Sequence, residues 1–164
     1  MWTDPRYKIK SLEELKAIVT ELHARGRTIT FANGCFDLIH VGHIRYLQSA
    51  KALGDVLLLG INSDAGVAAL KGKGRPLQSA EDRLEILASL ECVDYVFVFD
   101  DLTVDGILKM LRPDIHAKGT DYSQDTVPER ETVNSYGGRV AIVGDSKEHS
   151  TRDLIQAILS KFIS

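Results

Sequence analysis

Residues 28–43 read Thr-Ile-Thr-Phe-Ala-Asn-Gly-Cys-Phe-Asp-Leu-Ile-His-Val-Gly-His, and this stretch decides the fold. Its first five residues are mostly β-branched or aromatic, which predicts a short strand over 28–32. Apolar residues then recur at helical spacing from Ile44 to Leu53, and Gly54 predicts the end of that helix. The stretch therefore indicates a strand–loop–helix unit of an α/β protein.

The rest of the chain repeats this alternation of strands and helices. Further strands are predicted over 55–61, 95–99, 114–117 and 139–143, and further helices over 12–22, 64–70, from 79, over 104–111 and over 154–162. The polar stretch 119–131 has no clear period. Such alternation calls for right-handed βαβ units, that is, a single-domain, doubly wound parallel sheet. Ligands of such folds bind at the carboxyl ends of the strands, where the strand order reverses.

The composition of the 164-residue chain excludes several classes of protein. A net charge of −3 argues against a nucleic-acid-coating role. Two cysteines are too few for a disulfide framework or a four-cysteine zinc site. Apolar runs such as 56–59 are far too short to span a bilayer, and the first residues show no apolar core of a secretory signal. We therefore expect a cytoplasmic protein without nucleic-acid or membrane partners.

The loop after the first strand places two histidines where a helix begins. His40 and His43 flank Gly42, so imidazole donors and free helix amides converge, and the glycine would let a ligand approach the backbone. This pattern favours an anion that gains charge in a transition state, such as a phosphoryl group under attack. One alternative is a pair of histidines hydrogen-bonded locally in an ordinary loop. Another is a zinc site that includes Cys35 and Asp37, but the intervals match no known ligand pattern, and we expect no protein-bound metal ion.

Several segments together resemble one known family. Residues 33–43 read Asn-Gly-Cys-Phe-Asp-x-x-His-x-Gly-His, which is similar to the HIGH-type signature of the cytidylyltransferase-like nucleotidyltransferases. That signature alone indicates only the superfamily, and agreement elsewhere makes the resemblance more specific. Within the family, the chain is most similar to the adenylyltransferases that form ADP-heptose. The other matching segments are Asn62-Ser63-Asp64, residues 70–76, Arg83 and residues 118–122.

The resemblance implies a Rossmann-like HIGH-motif fold and a homo-oligomer. Residues 27–164 would form the nucleotidyltransferase domain, and residues 1–26 a helical extension packed on its core. Within the domain, the basic loop 71–75 is either a mobile clamp for a triphosphate or a solvated turn.

The same resemblance assigns roles to individual residues. His40, His43 and Lys71 would be catalytic, the histidines by stabilising the charged transition state and the lysine by holding phosphate. Arg152 stands where the bifunctional enzymes usually have threonine, so it either contacts phosphate or points to solvent. The residues expected to bind the nucleotide or its phosphates are Asn33, Gly34, Cys35, Phe36, Asp37, Gly42, Arg83, Lys118, Gly119, Asp121, Tyr122, Ser150, Thr151 and Arg152.

The reaction implied by the resemblance is an in-line attack on the α-phosphate of ATP. D-glycero-D-manno-heptose 1-phosphate would attack, Mg²⁺ would bridge ATP oxygens, and ADP-heptose and pyrophosphate would form, for lipopolysaccharide or related surface glycans. No covalent intermediate is needed, because catalysis of this kind rests on positioning and charge stabilisation. The alternatives are a glycerol-3-phosphate cytidylyltransferase, an FMN adenylyltransferase, a zinc hydrolase and a nucleotide-binding module without turnover.

Overall fold

A parallel sheet of five β-strands lies at the centre of the computed structural model, which describes residues 1–146 and 148–163. Residue 164, the predicted end of the domain, lies outside these ranges. The strands follow the order β3-β2-β1-β4-β5, and every adjacent pair is parallel. They are β1 (Ile29–Gly34), β2 (Val56–Asn62), β3 (Tyr95–Phe99), β4 (Ile115–Lys118) and β5 (Arg139–Ile142). The order reverses between β1 and β4, which confirms the predicted doubly wound sheet.

Apart from α6, the α-helices agree with the predicted ones to within a few residues. They are α1 (Leu12–Ala24), α2 (Val41–Lys51), α3 (Asp64–Lys71), α4 (Ala80–Ala88), α5 (Asp105–Leu111), α6 (Arg130–Ser135) and α7 (Thr151–Phe162). A 3₁₀-helix, Pro5–Lys8, precedes them. Both this turn and α6 are too short to show an apolar period, since only Val133 of α6 is buried.

Helices cover the sheet on both faces. On one face, Leu15 and Val19 of α1 pack with Phe31 of β1 in a cluster that also includes residues of α5 and α6. On the other face, α2 and α4 cover the sheet, for example through Leu47 and Leu87. Every residue of β2 is buried, as expected of a central parallel strand, and this explains its continuous apolar run. The division of the chain after residue 26 stays a prediction.

The last helix behaves differently from the others. None of its residues is buried, and four of its large apolar side chains are exposed, from 41% for Leu154 to 80% for Phe162, whereas Ile155 is half-buried. The apolar face predicted for this helix is therefore uncovered in the monomer. Among the described residues, no helix has both the length and the hydropathy that a membrane crossing requires.

Candidate active site

Segments that are distant in sequence meet where the strand order reverses. The loop that follows β1 leads into α2, and the segment that follows β4 lies beside it, because these two strands are neighbours. Tyr46 of α2 donates a hydrogen bond from its hydroxyl to the carbonyl oxygen of Ala117 at 2.8 Å. The start of α7 joins the same place, where Thr151 Oγ1 lies 3.0 Å from the carbonyl oxygen of Asp37 and 3.2 Å from that of Leu38. The predicted site residues are thus brought to one edge of the sheet.

The two histidines at the start of α2 adopt the same tautomer. Nδ1 of His40 accepts a hydrogen bond from the Gly42 amide at 3.1 Å. Nδ1 of His43 accepts one from the His40 amide at 3.3 Å. Because each Nδ1 is an acceptor, the hydrogen of each neutral ring is on Nε2. The rings stack with centroids 3.8 Å apart, so two Nε2–H donors belong to one rigid pair.

Burial and neighbouring charges keep both imidazoles neutral. Burial, then His40 and Lys71, lower the pKa of His43 to about 4. Burial, and after it His149, also lower the pKa of His40. Lys71, which is exposed at the end of α3, places a positive charge near His43. At neutral pH the site offers two uncharged donors beside an ammonium group.

The loop between β1 and α2 is held in an uncommon backbone conformation. Phe36 and Leu38 have φ angles of 50° and 59°, in the left-handed region that side chains seldom adopt. A Cβ atom on Gly34 would lie 2.9 Å from the Phe36 ring, and one on Gly42 would lie 2.9 Å from Cε1 of His40. The His40 ring therefore fills the space beside Gly42, and the approach of a ligand to this stretch of backbone stays a prediction.

Asp37 is buried and its carboxylate is occupied by hydrogen bonds within the protein, which corrects its predicted contact with the nucleotide. Its carboxylate accepts hydrogen bonds from Arg75 Nε and the Leu77 amide at 2.7 Å, and from the Gln78 amide at 3.0 Å. Burial alone would raise the pKa of this carboxyl, but these donors hold it below the ordinary value. Asp37 thus connects the basic loop 71–75 to the loop between β1 and α2, which we call the histidine loop. Phe36 is likewise buried, with its ring 5.1 Å from that of His43.

Arg83 is fully buried, which corrects its predicted contact with phosphate. Nη1 donates to the carbonyl oxygens of Cys35 at 2.7 Å and Asn62 at 2.8 Å. Nε donates to the carbonyl oxygen of Gln78 at 3.1 Å, and Nη2 to the Asp64 carboxylate at 2.8 Å. The guanidinium therefore joins the loops that follow β1 and β2. This role was invisible in the sequence, because its partners are spread over nearly fifty residues.

Lys118 also points into the protein and not toward a phosphate. It is 8% exposed, its Nζ lies 3.6 Å from Oε2 of Glu129, and the Tyr122 ring centroid is 4.7 Å from Nζ. This corrects its predicted direct contact with the nucleotide. Glu129, which is 7% exposed, escaped the sequence prediction because it lies in a polar stretch without a period. The Gly119 carbonyl accepts from the Tyr122 amide at 3.1 Å, which shapes the first turn of this segment.

The remaining predicted residues lie around this edge of the sheet. Ser150 caps α7 by accepting from the Asp153 amide at 3.1 Å, whereas Arg152 is exposed in the first turn of that helix. Three residues at the end of β1 are half-buried, namely Asn33, Gly34 and Cys35. Asp121, which follows β4, is exposed.

The four side chains of the zinc alternative do not converge. Cys35 Sγ donates to Asn62 Oδ1 at 3.6 Å, and the Asp37 carboxylate is occupied by Arg75. Within residues 1–146 and 148–163, no three histidine, cysteine or acidic side chains are grouped so that they could hold a metal ion.

Comparison with known proteins identifies the family. A sequence profile described as cytidylyltransferase-like matches residues 31–162. The chain belongs to the cytidylyltransferase-like family. This confirms the resemblance seen in the sequence and agrees with the site geometry, since the match spans every loop described above.

Relatives in the cytidylyltransferase-like family include longer, bifunctional proteins. The bifunctional protein HldE of Geobacter sulfurreducens is 48% identical over 155 residues, which are 94% of this chain and 32% of that protein. HldE of Pelobacter propionicus is 46% identical over 160 residues, which are 98% of this chain and 33% of that protein. The chain thus spans about a third of the length of the curated relatives it matches.

Two solved structures resemble the chain. The crystal structure of the lipopolysaccharide core biosynthesis protein from Thermoplasma volcanium GSS1 has 30% sequence identity and a TM-score of 0.62, and the match covers 76% of this chain and 100% of that one. A pantoate–β-alanine ligase from Francisella tularensis has 17% identity and a TM-score of 0.60 over 91% of this chain and 76% of its own, which shows a shared fold alone.

Proposed function

We propose that this chain transfers AMP from ATP to D-glycero-D-manno-heptose 1-phosphate, giving ADP-heptose and pyrophosphate for surface glycan synthesis. The observation that carries the proposal is the stacked His40–His43 pair, whose Nε2–H donors lie at a helix start beside the reversal of strand order. The near-complete overlap with one third of the HldE proteins supports the choice of an adenylyltransferase of this type.

The chemistry that these residues would perform is charge stabilisation. A phosphate oxygen of the sugar forms a new bond to the α-phosphorus of ATP as the bond from that phosphorus to the bridging oxygen breaks. Pyrophosphate leaves with the bonding electrons, so no proton needs to move. Negative charge grows on the α-phosphate oxygens, where the donors of His40 and His43 and the free amides of α2 would bind them. ATP enters as its Mg²⁺ complex.

Cations around the site would hold the triphosphate. Lys71 lies near His43 and is exposed, so its ammonium is available to a ligand that arrives from solvent. Arg152 stands in the first turn of α7, where the helix dipole favours anions, and a bound phosphate would offset this unfavourable position. Nε of Arg75 already donates to the Asp37 carboxylate at 2.7 Å, so this nitrogen is not available to the triphosphate. The Ser150 hydroxyl and the α7 amides would complete the phosphate site.

We also propose a homo-oligomer in the cytoplasm. The apolar side chains of α7 that remain exposed, among them Leu154, Ile158 and Phe162, form a face that a second copy of the chain would bury. Light scattering on the eluting peak of a gel-filtration column tests this assembly. A monomer at micromolar concentration, or an Ile158→Glu variant that elutes with the same mass as the wild type, contradicts it.

A substrate panel tests the proposed reaction. Pyrophosphate release is measured for ATP, CTP, GTP and UTP, each with heptose 1-phosphate, glycerol 3-phosphate or FMN as acceptor, and the product is identified by mass spectrometry. We expect turnover with ATP and heptose 1-phosphate. Turnover only with CTP and glycerol 3-phosphate, or with FMN, would replace the proposed acceptor. Tight binding of ATP without turnover on any acceptor would indicate a non-catalytic module.

A further inference from the structure

Three ionisable side chains are buried together on one face of the sheet. His116, Lys118 and Glu129 are exposed by only 0%, 8% and 7%. His116 and Lys118 share a face of β4 because they are two residues apart. Oε2 of Glu129 lies 3.7 Å from Nε2 of His116 and 3.6 Å from Nζ of Lys118. Burial of a charge costs free energy unless the charge is paired, so close packing alone does not explain why three ionisable side chains are buried here.

The cluster closes the base of the segment that follows β4. Lys118 is the last residue of β4, and Glu129 immediately precedes α6, so their pairing joins the two ends of the segment 119–128. The same ammonium lies 4.7 Å from the Tyr122 ring centroid, in the range of a cation–π contact. Val127, near the other end, is 4% exposed in the hydrophobic core. The Lys118–Glu129 pair therefore holds the two ends of this segment together.

We propose that Glu129 is a positioning residue, which acts through Lys118 to hold Tyr122 in place for the nucleotide. The inference rests on the proposed function, since it takes the segment after β4 as part of the ATP site. Lys118 itself is not a phosphate ligand, because its charge is shared between the carboxylate and the aromatic ring. The Glu129 carboxylate stays charged at working pH: burial would raise the pKa of Glu129, but His116 and Lys118 hold it at about 2.

The test compares Glu129→Gln, Lys118→Met and the double variant with a matched control. The control is Lys51→Met, since Lys51 pairs with Asp94 at 2.6 Å where α2 ends and β3 begins, at the opposite edge of the sheet. We measure KM for ATP, KM for the sugar phosphate, kcat and Tm, and the binding of Mg²⁺–ATP by calorimetry.

We expect each single variant to raise KM and Kd for ATP by about tenfold, a usual coupling for residues in contact, with KM for the sugar phosphate within about twofold. The double variant should bind ATP no more weakly than the worse single variant. The control should change Tm alone.

Unchanged ATP binding in Glu129→Gln, or equal rises in both KM values, overturns the positioning role. A loss of ATP affinity in Lys51→Met of the same size overturns it as well, because a general loss of stability would then explain the result. A wild-type chain that binds ATP without turnover refutes the proposed catalysis but leaves the calorimetric comparison decisive. A wild-type chain that binds no ATP refutes both proposals.

Discussion

Replacing His43 by alanine should reduce kcat by about 10²–10³, the usual loss for one preorganised donor to a developing oxyanion. The structure supports this magnitude, because the His43 ring is stacked on His40 at 3.8 Å and its Nδ1 is held by a backbone amide. The donor is thus fixed before substrate arrives. KM for ATP should change less than kcat, since the bond strengthens chiefly in the transition state.

The assay is pyrophosphate release under saturating substrates, with His43→Gln as the matched variant. The glutamine amide reaches about as far as Nε2 and donates a hydrogen bond, so this variant should recover part of the lost rate. Near-normal turnover in His43→Ala would remove the histidine pair from the mechanism. An alanine variant that loses ATP affinity while kcat is unchanged would assign His43 to ground-state binding instead.

The lowered pKa of His43 also predicts how the stability of the folded protein depends on pH. Burial, His40 and Lys71 lower it from 6.5 to about 4, so the unfolded chain binds a proton between these values that the folded chain does not. The free energy of unfolding should therefore fall as the pH falls from 6.5 toward 4, by about 3 kcal/mol in total. Urea titrations of the wild type and His43→Gln measure it. An equally steep loss in the glutamine variant, which cannot titrate there, would show that His43 is not responsible.

Other substitutions test the surrounding cations. Lys71→Ala should raise KM for ATP and slow AMP transfer, while the free energy of unfolding stays within roughly 0.5 kcal/mol of the wild type. The control Lys109→Ala, at an exposed position on α5, should change neither KM nor the rate. Unchanged kinetics in Lys71→Ala would indicate that the basic loop is a solvated turn. Arg152→Thr should raise KM for at least one substrate at equal or higher Tm, and two unchanged KM values would leave its side chain facing solvent. Arg83→Met should lower the free energy of unfolding in urea by about 3 kcal/mol, because three carbonyls and a carboxylate lose their donor. Arg83→Lys should recover little, since one ammonium cannot reach all the acceptors; wild-type unfolding in both variants would contradict the bridging role.

Most of the fold could be predicted because both faces of the sheet are buried. The apolar run of β2 indicates a central strand, and the alternation of elements predicts the doubly wound parallel sheet, whereas the position of the reversal beside β1 is seen only in the structure. The strand boundaries depend on pairing, which propensity does not show. β1 continues through Asn33 and Gly34 because these residues pair in register with Gly60 and Ile61 of β2.

The position of the candidate site could be predicted from the sequence, but the direction in which its charged side chains point could not. The histidine loop and the segment after β4 lie together, as the topology requires. A motif does not show whether a charged side chain faces solvent or the protein interior. Asp37 and Arg83 both turn inward, because their partners come from loops that only the folded chain brings within 3 Å. Glu129 gave no sequence signal, since its burial depends on Lys118 across the segment.

Asp37 links two parts of the molecule that are far apart in sequence. Its carboxylate binds the loop that follows α3, and its carbonyl oxygen accepts from Thr151 at the start of α7. A triphosphate that draws the basic loop inward must therefore either break these bonds or pull the last helix with it. The position of the loop that follows α3 and the orientation of the exposed last helix are thus coupled through Asp37, together with the neighbouring Leu38 carbonyl, which also accepts from Thr151.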